Sequence, residues 1–167
     1  MSNVVGTELS HIDGEGHAVM VNVTAKNLTS RVAKARATVR GVGDLSELPG
    51  GSAAVLALAR AAGLLGAKQT STLIPLCHPL PLSSLNVELV VLGDDVEITA
   101  IAETFGQTGV EMEALTACAL ASLSLVASVL PASDVSVEAL GLLEKSGGRS
   151  GTWTREASLA ESAVRPS

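Results

Sequence analysis

Strict alternation of apolar and polar positions marks several strands in this chain. From Arg31 to Arg40, Ala33, Ala35, Ala37 and Val39 share one face, and Lys34, Arg36, Thr38 and Arg40 share the other. That period of two is the pattern of a half-buried strand. His17 to Thr24 alternates as well, with Val19, Val21 and Val23 on one face, and predicts a strand ahead of it. Leu85 to Leu92 and Val96 to Thr104, joined by Gly93-Asp94-Asp95, predict a hairpin. A last strand is expected over about Val135 to Leu143. Two stretches are too long and too evenly apolar for strands. One runs from Ser52, a candidate N-cap, to Lys68; the other runs from Thr108 to near Leu130. Glycine and proline make a loop of Gly41 to Ser52, and proline bars Pro75 to Leu82 from regular structure.

From Arg31 onward the order is β-α-β-β-α-β. It predicts an α+β, ferredoxin-like split βαβ fold: an antiparallel sheet with two helices on one face, plus one extra N-terminal strand. Such a fold hosts many chemistries and fixes none. One domain over residues 1–155 and a disordered tail over 156–167 are expected.

Composition narrows the function. Hydrophobic residues are 47% and charged residues 17%, which excludes a disordered chain. Aromatics are 1%, Phe105 and Trp153 alone, so the core must be Ala, Val and Leu with closely packed backbones. Lys+Arg 11 against Asp+Glu 17 gives a net charge of −6, which argues against nucleic acid as a partner. Cys77 and Cys118 make neither a disulfide framework nor a zinc site, so no metal is expected. The N-terminus has neither a basic nor an apolar signal region, and a cytoplasmic location is expected. Ala114 to Ser133 is uncharged and long enough to cross a bilayer. Its Ala, Ser and Thr content and its lack of flanking cations favour instead a helix buried on most of its circumference. No membrane is expected as a partner, and so buried a helix in so small a chain predicts an oligomer.

Three loops hold the unusual residues. Leu76-Cys77-His78-Pro79 is locked by prolines on both sides, which suits a side chain held still; a stiff connector has the same sequence. Thr108 and Glu111 fit a capping box. Glu113 is the last charge before the uncharged run, so it stands where burial begins and where an acid–base group acquires a raised pKa; a helix-dipole role explains it equally well. Lys145-Ser146-Gly147-Gly148-Arg149 offers two cations on glycine-rich backbone, a phosphate cradle or a solvated loop. Arg60, Lys68 and the basic strand face could add positive field; equally, Arg60 and Lys68 fit the polar stripe of their helix.

At these residues the chain resembles the cyclic pyranopterin monophosphate synthase (MoaC) family of molybdenum cofactor biosynthesis. The runs that carry the resemblance are LSHIDGEGHAVMVNVTAK (Leu9 to Lys26), ALARAAGLLGAKQT (Ala57 to Thr70), LIPLCHPLPLS (Leu73 to Ser83), TGVEMEALTA (Thr108 to Ala117) and LLEKSGGRSG (Leu142 to Gly151). The resemblance implies the same ferredoxin-like fold and a hexamer built from dimers, with active sites at the subunit interface. The implied reaction converts a GTP-derived cyclic purine nucleotide into cyclic pyranopterin monophosphate and pyrophosphate, a phosphorus–oxygen lyase activity with no cofactor. Leu76, Cys77, His78, Met112, Glu113 and Lys145 are its implied substrate-binding residues.

The departures fall on the implied catalytic set. A lysine, an aspartate and a second lysine of the family map to Ser52, Ala127 and Leu130, and none of the three supplies a charge. Gln69 stands for an arginine and Asn22 for an aspartate. Proton transfer needs a positioned acid or base, and an expelled pyrophosphate needs fixed cations. Two readings follow. The chain is a degenerate paralogue that keeps the pocket and the oligomer, alone or mixed with an active paralogue; or it is an active synthase whose catalytic groups come from Lys145, Arg149 or a partner subunit.

Overall fold

The computed structural model describes residues 11–130, 134–149 and 151–155; the tail expected at 156–167 lies outside them. Five strands, β1 (Thr29–Arg40), β2 (Ser84–Leu92), β3 (Asp95–Gly106), β4 (Ser136–Ser146) and β5 (Trp153–Thr154), form one sheet in the order β2-β3-β1-β4-β5. Every pairing is antiparallel. Helix α1 (Gly51–Lys68) follows β1, with the single turn α2 (Thr70–Leu73) after it, and α3 (Glu111–Val129) follows β3. This is the α+β, ferredoxin-like arrangement that the pattern predicts.

Small residues set its dimensions. Ala35 faces Ala100 and Ala33 faces Ala102 across β1 and β3, all buried. Ala114, Ala117, Cys118 and Ala121 bring α3 down onto that surface with no exposure. The helices run antiparallel and touch at two glycines. A Cβ on Gly63 would lie 2.9 Å from the Ala117 carbonyl oxygen, and one on Gly66 would lie 2.9 Å from Leu120 Cβ. Backbones this close leave no room for aromatic rings, which accounts for the composition.

On the opposite sheet face, Arg36 pairs with Glu97 at 3.3 Å, and Arg40 with Asp95 at 2.6 Å and Glu138 at 2.7 Å. Arg36 and Arg40 of the basic strand face are thus neutralised locally. Arg60 is spent as well: its Nε donates to the Val87 carbonyl at 3.0 Å and ties α1 to β2.

Several local expectations give way to tertiary structure. His17 to Thr24 is not a strand. Among the described residues, the only ladder contact of the N-terminal segment is an isolated bridge between Ile12 and Ala18. Alternation supplies a face, but a strand also needs a partner to pair with, and this segment joins neither edge of the sheet, β2 or β5. Ser52 does not cap α1. Gly50 holds the cap position at φ +84°, and the helix has begun at Gly51. Both α1 and α3 are long and apolar enough to cross a membrane, but half of α3's apolar window is buried inside the fold. In the single chain α3 is covered on the side facing the sheet and α1, while Leu123 and Leu130 stay exposed.

Candidate functional site

Parity along the strands explains how charge reaches the helix-covered side of the sheet. Arg31 continues the series of Ala33, Ala35 and Ala37, so its side chain projects toward the helices. Lys145 pairs with Ala33 and shares that side. Both project just beyond the N-terminal end of α3, where the helix no longer covers the sheet. The Arg31 guanidinium is fixed there by the carbonyls of Gly106 (3.0 Å) and Gln107 (3.1 Å).

The proline-rich loop closes the space from the other side. Ile74, Pro75, Leu76 and Cys77 form a turn in which the Cys77 N–H donates to the Ile74 carbonyl at 3.3 Å. Leu76 takes φ +68° at the third position, where a type II turn favours glycine. A branched side chain held there is strained by about 1–3 kcal/mol, a strain that clusters at ligand sites. Thr104 Oγ1 donates to the Pro81 carbonyl at 2.7 Å and anchors the loop to β3.

Between these walls lies a cleft of about 520 Å³. Leu76, Cys77, His78, Met112, Glu113 and Lys145, scattered over β4, α3 and the proline loop, all line it. So do Arg31, Lys26 and His11, which composition and spacing did not single out, and Glu111, which spacing marked only for a capping box. For Arg31 a signal existed: a cation at a position whose parity is buried. Arg149 lies apart, in an adjoining hollow of about 450 Å³ that also reaches Lys26 and Arg31. Neither Arg60 nor Lys68 lines the cleft.

Electrostatics at the mouth of α3 differ from the expected capping box. The helix begins at Glu111 with Val110 at the cap position and no side-chain cap. Glu111 instead folds back over Gly109, into the space a Cβ would take, and pairs with Lys145 Nζ at 3.1 Å. Lys145 therefore belongs to β4, and the glycine loop begins only at Gly147. Glu113 is 5% exposed. Burial pushes its carboxyl above the usual glutamate value; its own backbone amide opposes this, and the nearby Glu111 charge adds to it. Burial, and then the Glu113 charge, push the Cys77 thiol up, so it stays protonated at neutral pH. The cleft thus combines fixed cations, a helix N-terminus, one carboxyl inclined to hold its proton and apolar walls at Leu76, Leu80 and Met112. Such a set has the chemistry to suit a polyanion with an apolar body, with Glu113 as a group that could exchange a proton.

Ser52, Ala127 and Leu130 are not in this cleft. Ala127 lies fourteen residues along the chain from Glu113 (127 − 113), or about 21 Å at 1.5 Å per residue. Antiparallel packing brings the start of α1 to that far end, where Leu48, Pro49, Ala54, Leu58 and Ser128 line an apolar hollow.

Comparison with known proteins finds sequence relatives along most of the chain. A family model described as "MoaC family" matches residues 20–148. A cyclic pyranopterin monophosphate synthase of Novosphingobium aromaticivorans is 49% identical over 152 residues, 87% of this chain and 96% of the relative. Relatives of the same name from Thermomicrobium roseum and Corynebacterium glutamicum are 49% and 44% identical, over 89% of this chain and 94% and 98% of their own lengths. By the extent of both matches, this chain belongs to the MoaC family.

Proposed function

We propose that the chain binds the GTP-derived cyclic purine nucleotide of molybdenum cofactor biosynthesis, and that it is a catalytically degenerate member of its family acting in a cytoplasmic oligomer, a hexamer built from dimers. The process and ligand class come from the family and from the activity named in its relatives. The observation that carries the binding reading is convergence. The six residues implied by resemblance share one cleft with Arg31 and Lys26. Phosphates need fixed cations and free N–H groups, and a purine-derived ring needs apolar walls.

The degenerate reading rests on Ser52, Ala127 and Leu130. None of them carries a charge or an acid–base group, and all stand at the far end of the helix pair. A group placed there reaches only the cleft of a neighbouring copy. The same distance favours a mixed assembly, in which a complete relative supplies the missing charges to this chain's cleft.

Calorimetry with GTP tests the binding reading. The chain should bind, and His78→Ala and Lys145→Ala should each weaken binding by roughly 10–100-fold, the worth of a charged hydrogen bond. No binding, or binding indifferent to both substitutions, overturns it.

A further inference from the structure

The turn between β3 and α3 organises more than the cleft floor. Arg31 donates to the backbone carbonyls of Gly106 and Gln107. The Gln107 side chain donates in the other direction, to the carbonyls of Lys26 (3.1 Å) and Thr24 (3.5 Å). Among the described residues, these two bonds are the hydrogen bonds that join residues 11–28 to the rest of the chain. The others are internal to the segment. His11 and Val19 bond each other, Asp13 accepts from the amides of Glu15 and His17, and the Lys26 N–H donates to Val23.

The segment is otherwise weakly held. It belongs to no sheet, and Val19 and Met20 are 43% and 49% exposed. Yet it carries His11 and Lys26 to the cleft wall. Ordering a backbone costs roughly 1–2 kcal/mol per residue, and so little burial does not offset that along the whole segment.

We infer that Gln107 is a positioning residue: its amide latches the 11–28 strap over the cleft and so places Lys26 on an anionic ligand. The ligand half of this inference rests on the proposed nucleotide reading; the latch itself does not.

Limited trypsin digestion of the full chain, read by mass spectrometry at the exposed Lys26, tests it. Gln107→Leu keeps the volume and removes the donor. Cleavage after Lys26 should rise about tenfold, the worth of roughly one to two hydrogen bonds, while cleavage after Arg60, inside α1, stays unchanged. Gln107→Asn, which keeps an amide donor and adds no trypsin site, should restore part of the protection. With GTP present, cleavage of the unmodified chain should slow, and Gln107→Leu should bind GTP about tenfold more weakly by the same reckoning. Equal cleavage after Lys26 in the unmodified and Gln107→Leu chains overturns the latch, as does a rise at Lys26 and Arg60 together. If GTP binds neither protein, the nucleotide reading fails, and the ligand-free contrast still decides the latch.

Discussion

The two ends of α3 carry opposite chemistry on one continuous helix. At its start, Glu111 pairs with Lys145, and Glu113 is buried beside Cys77, with Arg31 and His78 on the same cleft. At its end, Ala127 and Leu130 are exposed and uncharged, and the last turn holds no basic residue. A helix C-terminus favours cations, so their absence there brings no helix stability in return. The cleft end spends stability on strain at Leu76 and on a buried carboxyl; the far end makes no such outlay. Costs of this kind gather where a ligand is handled. On the proposed reading, the contrast separates a binding end from an end without catalytic charges.

The largest expected effect breaks that contrast directly. Given the cyclic intermediate, the purified chain should release pyrophosphate slower by ~10²–10⁴ than a complete family member, the usual worth of a positioned acid–base group. Ser52→Lys, Ala127→Asp and Leu130→Lys together should raise turnover, because Ala127 and Leu130 are exposed and Ser52 is only half-buried in the single chain, so charge there costs little desolvation. Equal turnover by the unmodified chain would establish an active synthase and end the degenerate reading.

Midway between the two ends, Gly63→Val should cost about 1–3 kcal/mol by overpacking against the Ala117 backbone. A denaturation midpoint that does not move would show that the helix spacing is set elsewhere.

The cleft end also has a pH signature. Glu113 binds its proton more tightly folded than unfolded, so its contribution to stability is lost as pH rises from the ordinary 4.5 through the folded value. Glu113→Gln should therefore melt higher than the unmodified protein at pH 7, with the gap closing as pH falls below 4.5. A gap that widens in acid contradicts the sign. The smallest effect belongs to the far end. Leu130→Lys should stabilise by about 0.3–1 kcal/mol at low ionic strength and by less at high salt. A marked loss of stability would mean that Leu130 is covered in the assembled protein.

Much of this was legible in the sequence. The alternation at Arg31–Arg40, the hairpin at Gly93-Asp94-Asp95 and the two apolar helices are local patterns, and the strands and helices fall within a few residues of them. Family resemblance named six residues that the fold then gathers around one cleft. The errors share a cause. The Thr108–Glu111 capping box and the Ser52 cap fit short-range rules, but Glu111 found Lys145, more than thirty residues away in sequence, and the turn at Gly50 set the start of α1. His17 to Thr24 had the right period but joined neither edge of the sheet.

By itself, the sequence determined the element order, the small-residue core and the absence of charge at Ser52, Ala127 and Leu130, because these depend on residue type and period alone. Only the tertiary structure decided that Arg31 and Lys26 join the cleft, that Glu111 guards Lys145, and that the three uncharged positions lie at the opposite end of the helix pair. Those facts depend on strand register and on where each helix stops covering the sheet, and both are settled by packing between segments far apart in the chain.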